Sequence, residues 1–281
     1  MTSSPEKVGR ILLGLGATSD GDRSVFTAIS LAKAIQREIV GLFVIEEEMV
    51  EMAGLPFTCT LETGTAQRLD LTAAIMSKAL DRGASRCRQS LSNQAHRANV
   101  SWSFSIESGK LSVRLSAAIA AGDFLVISSD RFGFDGAHLL NQLRFATSHI
   151  DGIVIAPSHA PTNKDGPIVV LDDGDTAGEK TLLLGSHMAQ ATSRELIILA
   201  LVSSREQVKN ISDRATNILP EGQKITIHRL VPGAIDQLKS TLTHLSPSFI
   251  IADMQGEPFA NDKAAQTLLR AARAPVVLLR A

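Results

Sequence analysis

The sequence writes one order of strand and helix signals twice. A short apolar pattern at 150–156 (IDGIVIA) closes the first run, and a matching one at 275–280 (PVVLLR) closes the second. The first run reads as strands at 10–15, 39–45, 101–106, 124–128 and 152–156. Helices are expected at 23–37, over a long segment at 67–97 with a weak point at Gly83, from Gly109 to 121, and at 137–148. The second run reads as strands at 167–171, 195–201, 224–230, 249–252 and 275–280, with helices at 178–192, 205–218, 232–245 and 260–272. The fourth and fifth strands begin at 124 and 152 in one half and at 249 and 275 in the other, so the late spacings nearly match. Compact apolar strands alternating with amphipathic helices predict α/β units, each a five-stranded parallel sheet with helices on both faces. The domains are expected at 1–157 and 166–281, joined by a turn-rich linker at 158–165. Only the first carries an insertion, at about 46–66, where Met49, Val50, Met52 and Leu55 suit a short helix that covers a groove or meets a partner.

Ligands in such sheets bind beyond the carboxyl ends of the strands, where strand order reverses. That directs attention to the loops at 16–22 and 129–136, and to those at 172–178 and 253–260. Composition removes several alternatives. The formal net charge of −1 argues against a broad electrostatic grip on nucleic acid. One tryptophan and no tyrosine argue against stacking platforms for single strands. No apolar run approaches the roughly 20 residues that span a bilayer. The start of the chain (MTSSPEKVGR) shows no apolar signal segment, so no membrane role and a cytoplasmic location are expected. Two cysteines, Cys59 and Cys87, make no CxxC pair, which fits a reducing compartment. The seven histidines form no HxH, HxxxH or HExxH spacing, and no metal site is expected.

The repeated βαβαβαβαβ plan, the acidic turn LDDGD at 171–175 and the ending ARAPVVLLR at 272–280 resemble the universal stress protein family. The resemblance covers nearly the whole chain as a tandem pair. It implies the adenine nucleotide alpha hydrolase-like fold with strand order 3-2-1-4-5 in each half. It also implies antiparallel pairing of the two fifth strands within one chain, through Ile153, Ile155, Val276 and Leu278. Nucleotide-binding members carry an Asp at the end of strand one, and Asp172 matches it; the first half has Leu15 and Gly16 there. They also carry a Gly-x2-Gly-x9-Gly-(Ser/Thr) loop after strand four. Neither SSDRFGFDGAHLLNQ at 128–142 nor ADMQGEPFANDKAAQ at 252–266 contains it. Such a loop works because glycines let backbone N–H groups converge on an anion. Here Asp253, Glu257 and Asp262 stand where phosphates would go, and their charge opposes a triphosphate.

Residue by residue, bland readings compete with functional ones. Asp172, Asp173 and Asp175 make a turn and helix start as readily as an adenine or metal contact. Cys87, between Arg86 and Arg88, is a candidate redox site, but a small buried residue is the ordinary reading. Ser128, Ser129 and Asp130 lack a base that would make a nucleophile, and no GxSxG elbow exists. The reading is therefore a non-catalytic stress-response or regulatory protein that binds a partner or a small ligand, without a cofactor. A protein partner, self-association or a homodimer is expected, with 46–66 as a contact. The alternative is a member that holds ATP or AMP in an unusual loop. Its binding residues would be Asp172, Gly174 and Gly256 in the second half and Ser128, Arg131 and Gly133 in the first.

Overall fold

The computed structural model describes residues 9–16, 21–55, 59–61, 68–70, 72–129, 149–157, 165–175 and 178–280. The first half begins with β1 (Ile11–Gly16), α1 (Gly21–Ile35), β2 (Ile39–Ile45) and α2 (Glu47–Ala53). It continues through β3 (Cys59–Leu61), β4 (Arg68–Asp70), α3 (Ala73–Ala98), β5 (Trp102–Ser108), α4 (Leu111–Ala118), β6 (Phe124–Ser128) and β7 (Gly152–Ala156). The second half holds β8 (Ile168–Asp172), α5 (Gly178–Thr192), β9 (Leu196–Leu201), α6 (Arg205–Ile218), β10 (Ile225–Leu230), α7 (Ile235–Leu245), β11 (Phe249–Asp253), α8 (Asp262–Ala271) and β12 (Val276–Leu279).

The strands form one ten-stranded sheet in the order β10-β9-β8-β11-β12-β7-β6-β1-β2-β5. Each half has the order 3-2-1-4-5, and all pairing within a half is parallel. The two sheets expected from the sequence thus merge into one. They meet at β12 and β7, which pair antiparallel with Val276 opposite Ile155, Val277 opposite Val154 and Leu278 opposite Ile153.

Side chains along a strand alternate between the two faces, and the core follows that period. Ile11, Leu13, Leu15, Val170 and Ile198 face the layer made by α1, α3, α5 and α6. Leu12, Leu125, Val169, Leu199 and Ile250 face α4, α7 and α8. The central strands are buried throughout, whereas the outermost strands β5 and β10 alternate or fray into solvent. Ile106, expected to alternate inward with Trp102 and Phe104, is 51% exposed near the end of that edge.

Within 46–70, the described residues take regular structure that the glycines and proline of the segment do not suggest. A short helix, α2, packs on α3, and β3 pairs antiparallel with β4 in a separate two-stranded sheet. This moves the start of the long helix from 67 to Ala73, where the Thr72 hydroxyl caps it by accepting from the Ile75 N–H. Gly83 does not break α3; it packs toward the Phe43 ring. The helix stops at Asn99, which takes the left-handed conformation that ends helices. The helix expected at 137–148 and most of the linker lie outside the described residues.

Two ion pairs tie the strand starts of the first half. Buried Asp123 accepts from the Arg10 backbone N–H at 2.6 Å, from Arg10 Nη2 at 3.0 Å and from the Ala120 N–H at 2.9 Å. That hydrogen bond raises the Arg10 pKa above its ordinary value. Arg37 donates to the Gly122 carbonyl at 2.6 Å and to Asp151 Oδ2 at 2.9 Å, and its guanidinium lies 5.1 Å from the Phe124 ring centroid.

The seam leaves no room for a side chain at Gly152. A Cβ there would sit 2.6 Å from the Leu278 carbonyl oxygen and 3.0 Å from the Phe124 ring. Gly152→Val is expected to cost about 1–3 kcal/mol in urea unfolding, as overpacked cores do. Unchanged stability would show that the seam can open there without penalty.

Candidate functional site

In the second half, the strand ends bring Asp172, Asp173, Asp253 and Gly256 together. Asp172 ends β8 and its side chain is 0% exposed. Both of its carboxylate oxygens accept from Arg214 Nη2, at 2.7 and 2.6 Å, and Oδ1 also takes the Gly174 N–H at 2.9 Å. Arg214 comes from α6, and its other terminal nitrogen donates to the Asp175 carbonyl. Gly178 lets this pair close over the start of α5, because a Cβ would lie 2.6 Å from Arg214 Nη2 and 3.0 Å from Asp172 Oδ2. Gly174 has φ of +89°, which a glycine adopts without strain and which the turn requires. The DDGD stretch is thus a double turn, since Asp173 Oδ1 also accepts the Asp175 N–H at 3.2 Å.

The loop after β11 is closed by the protein's own acids. Asp173 Oδ2 accepts the Glu257 N–H at 3.0 Å, and Asp253 Oδ1 accepts the Gln255 N–H. Glu257 Oε2 in turn accepts the Gly233 N–H at 3.0 Å. A side chain at Gly256 would come within 2.8 Å of Asp173 Oδ2. Carboxylates therefore sit on backbone donors that a phosphate would need, and they bring negative charge to the same place. Met254 and Phe259 are buried under the loop, at 3% and 0% exposure, in the layer that faces α7 and α8. Two polar atoms there, Arg214 Nε and Asp253 Oδ2, are buried without a hydrogen-bond partner among the described residues.

The first half is built differently. Arg131 and Gly133 lie outside the described residues. Ser128 is buried at the end of β6, and the Ser129 hydroxyl is buried without a partner among the described residues. At the end of β1 an open cleft of about 450 Å³ is lined by Gly16, Phe43, Met49, Met76, Arg86 and Cys87. Met49 reaches it from α2, so the insertion forms part of its wall. Cys87 is half-buried and packs so close to Gly21 that a Cβ there would meet its sulfur. The Cys59 side chain lies outside the described residues. Among the described residues no cluster of His, Cys, Asp and Glu could hold a metal, and no helix is long and apolar enough to cross a membrane.

The alignment of residues by sequence alone brought Asp172, Gly174 and Gly256 to one place but missed Arg214. Its signal was present: Arg214 lies beside Ile211 and Ala215, the two buried residues of α6. A cation flanking the inward stripe of a helix needs an internal acid. Because Asp172 is sealed, removing Arg214 strands a buried charge. Arg214→Ala is expected to lose about 3–5 kcal/mol in chemical unfolding, and Arg214→Met with Asp172→Leu to regain most of it. Equal losses in both variants would show that shape, rather than the charge pair, holds this corner.

No family model matches the sequence, and no curated protein matches it. Solved structures do match in shape. A universal stress protein from Archaeoglobus fulgidus shares 15% identity at a TM-score of 0.65, with 96% of each chain covered. A putative universal stress protein from Pseudomonas aeruginosa shares 14% at 0.53, covering 97% of this chain and 93% of that one. The cytoplasmic domain of a prokaryotic cation chloride cotransporter shares 12% at 0.55, covering 98% and 96%. Over nearly its whole length, this chain has the tandem fold of universal stress proteins.

Proposed function

We propose that this is a non-catalytic stress-response or regulatory protein of the cytoplasm that acts by binding a partner or a small ligand, without ATP. One observation carries the reading: Asp172, placed where the family resemblance puts the adenine contact, is already held by both oxygens on Arg214. To reach a base edge it would first have to release that arginine. The acids on the neighbouring loop add a second barrier, since a nucleotide phosphate would displace Asp173 from the Glu257 N–H. Partner binding is supported by the apolar surface at the insertion. Met52, Leu55 and Ile75 are 61%, 60% and 53% exposed, on α2 and the first turn of α3.

Native mass spectrometry with ATP, with AMP and with neither tests the nucleotide half of the reading. No saturable adduct at millimolar supply is expected. A retained adenine nucleotide that Asp172→Ala removes would overturn the reading in favour of an unusual nucleotide site. Sedimentation of Met52→Ser with Leu55→Ser tests the surface. Loss of self-association or of partner capture with an unchanged circular dichroism spectrum is expected, and unaltered association would remove the insertion as a contact.

A further inference from the structure

The two halves leave an open cleft of about 500 Å³ beside the seam, apart from both sets of strand-end loops. Its apolar floor is made by Phe124 and Leu279, both buried, and by Leu184 of α5. Around the floor stand Arg37, Lys180, His187 and Arg280, against a single acid, Asp151. Asp151 is already matched to Arg37 at 2.9 Å. Lys180 has no carboxylate partner among the described residues, and its ammonium donates to the Arg280 carbonyl at 3.3 Å. Lys180, Leu184 and His187 fall on one stripe of α5, spaced four and three residues apart. Lys180 also lies in the first turn of that helix, where the peptide dipoles favour a negative group.

The repeat supplies an internal comparison. Helices α1 and α5 both begin with glycine, an acid and a base: Gly21, Asp22 and Arg23 in one, Gly178, Glu179 and Lys180 in the other. In that alignment His187 replaces Ser30. The strand registers place Phe124 with Phe249, so Ile153 corresponds to Val276 and Arg280 to Pro157. This side of the seam therefore carries an imidazole and a guanidinium where the pseudo-equivalent positions carry a serine and a proline.

We propose that this cleft binds a small organic anion, a carboxylate, sulfonate or phosphate ester with a flat apolar body. The body would lie on Phe124 and Leu184 and the acid group would meet Lys180, His187 and Arg280. The inference shares with the preceding section only the reading of the chain as a binding protein, and it requires nothing of the Asp172 corner.

Anilinonaphthalene sulfonate, a fluorescent anion with a flat apolar body, is the probe. Titration of the full chain is expected to show one saturable site that weakens with added salt. Lys180→Glu with His187→Glu should reduce its affinity at least about tenfold, while Lys209→Glu, an exposed charge reversal on α6, should leave it unchanged. Both changed residues are exposed, and circular dichroism with thermal unfolding confirms that the variants remain folded. Equal affinity in the wild-type chain and the double variant overturns the proposal, as does a site lost in Met52→Ser with Leu55→Ser instead. Absence of any saturable site also overturns the proposal, and it leaves the reading of a protein that works without ATP untouched. Conversely, ATP binding abolished by Asp172→Ala but indifferent to Lys180→Glu would overturn that reading and leave this one standing.

Discussion

The antiparallel pairing of β7 with β12 is the contact on which the rest of the architecture depends. A parallel five-stranded sheet ends in an apolar edge strand, and an exposed apolar edge invites pairing with other chains. Here each half covers the other's edge. All of the residues in both strands are buried, and the Arg280 N–H extends the ladder by reaching the Asp151 carbonyl at 3.1 Å. The same pairing brings α1 against α5 above the sheet. Without it, neither the common helical layer nor the cleft lined by both halves would exist.

The second physical theme is self-occupation. A strand-end corner that collects backbone N–H groups is an anion site by default, and leaving those donors buried and unmatched is costly. This chain meets them with Asp173, Asp253 and Glu257, and it neutralises Asp172 with Arg214. The backbone donors of the corner are thus met internally, while Arg214 Nε and Asp253 Oδ2 stay buried without a hydrogen-bond partner among the described residues. Across the sheet, the described residues of the first half leave a cleft at the corresponding end, walled by methionines from the insertion and the long helix.

Much of this was legible in the sequence because period and repetition survive when individual residues change. Strands such as 39–45 and 195–201 are apolar enough to be recognised as buried, and a parallel sheet followed from their alternation with helices; the strand order came from the family resemblance. The acids that oppose phosphate were also visible as a charge pattern at 253–262. What escaped needed tertiary information. Arg68–Asp70 looked helical because Arg68 and Leu69 suit either state, and only the pairing with Cys59–Leu61 makes it a strand. Arg214 could not be matched to Asp172 from a separation of 42 residues. The cleft at the seam draws residues from four elements, α1, β6, α5 and β12, and from the flanks of α1, β7 and β12, none of which carries a local motif.

The antiparallel seam also sets a direction. Within each half all strands run the same way, so their carboxyl ends and the loops that follow them gather at one rim. Because the halves oppose one another across β7 and β12, the two rims lie at opposite poles of the sheet. The closed corner at Asp172 and the methionine-walled opening at Met49 cannot grip one compact molecule. The protein is a two-ended body, with a closed corner at one pole, a methionine-walled cleft at the other and a ten-stranded sheet between them.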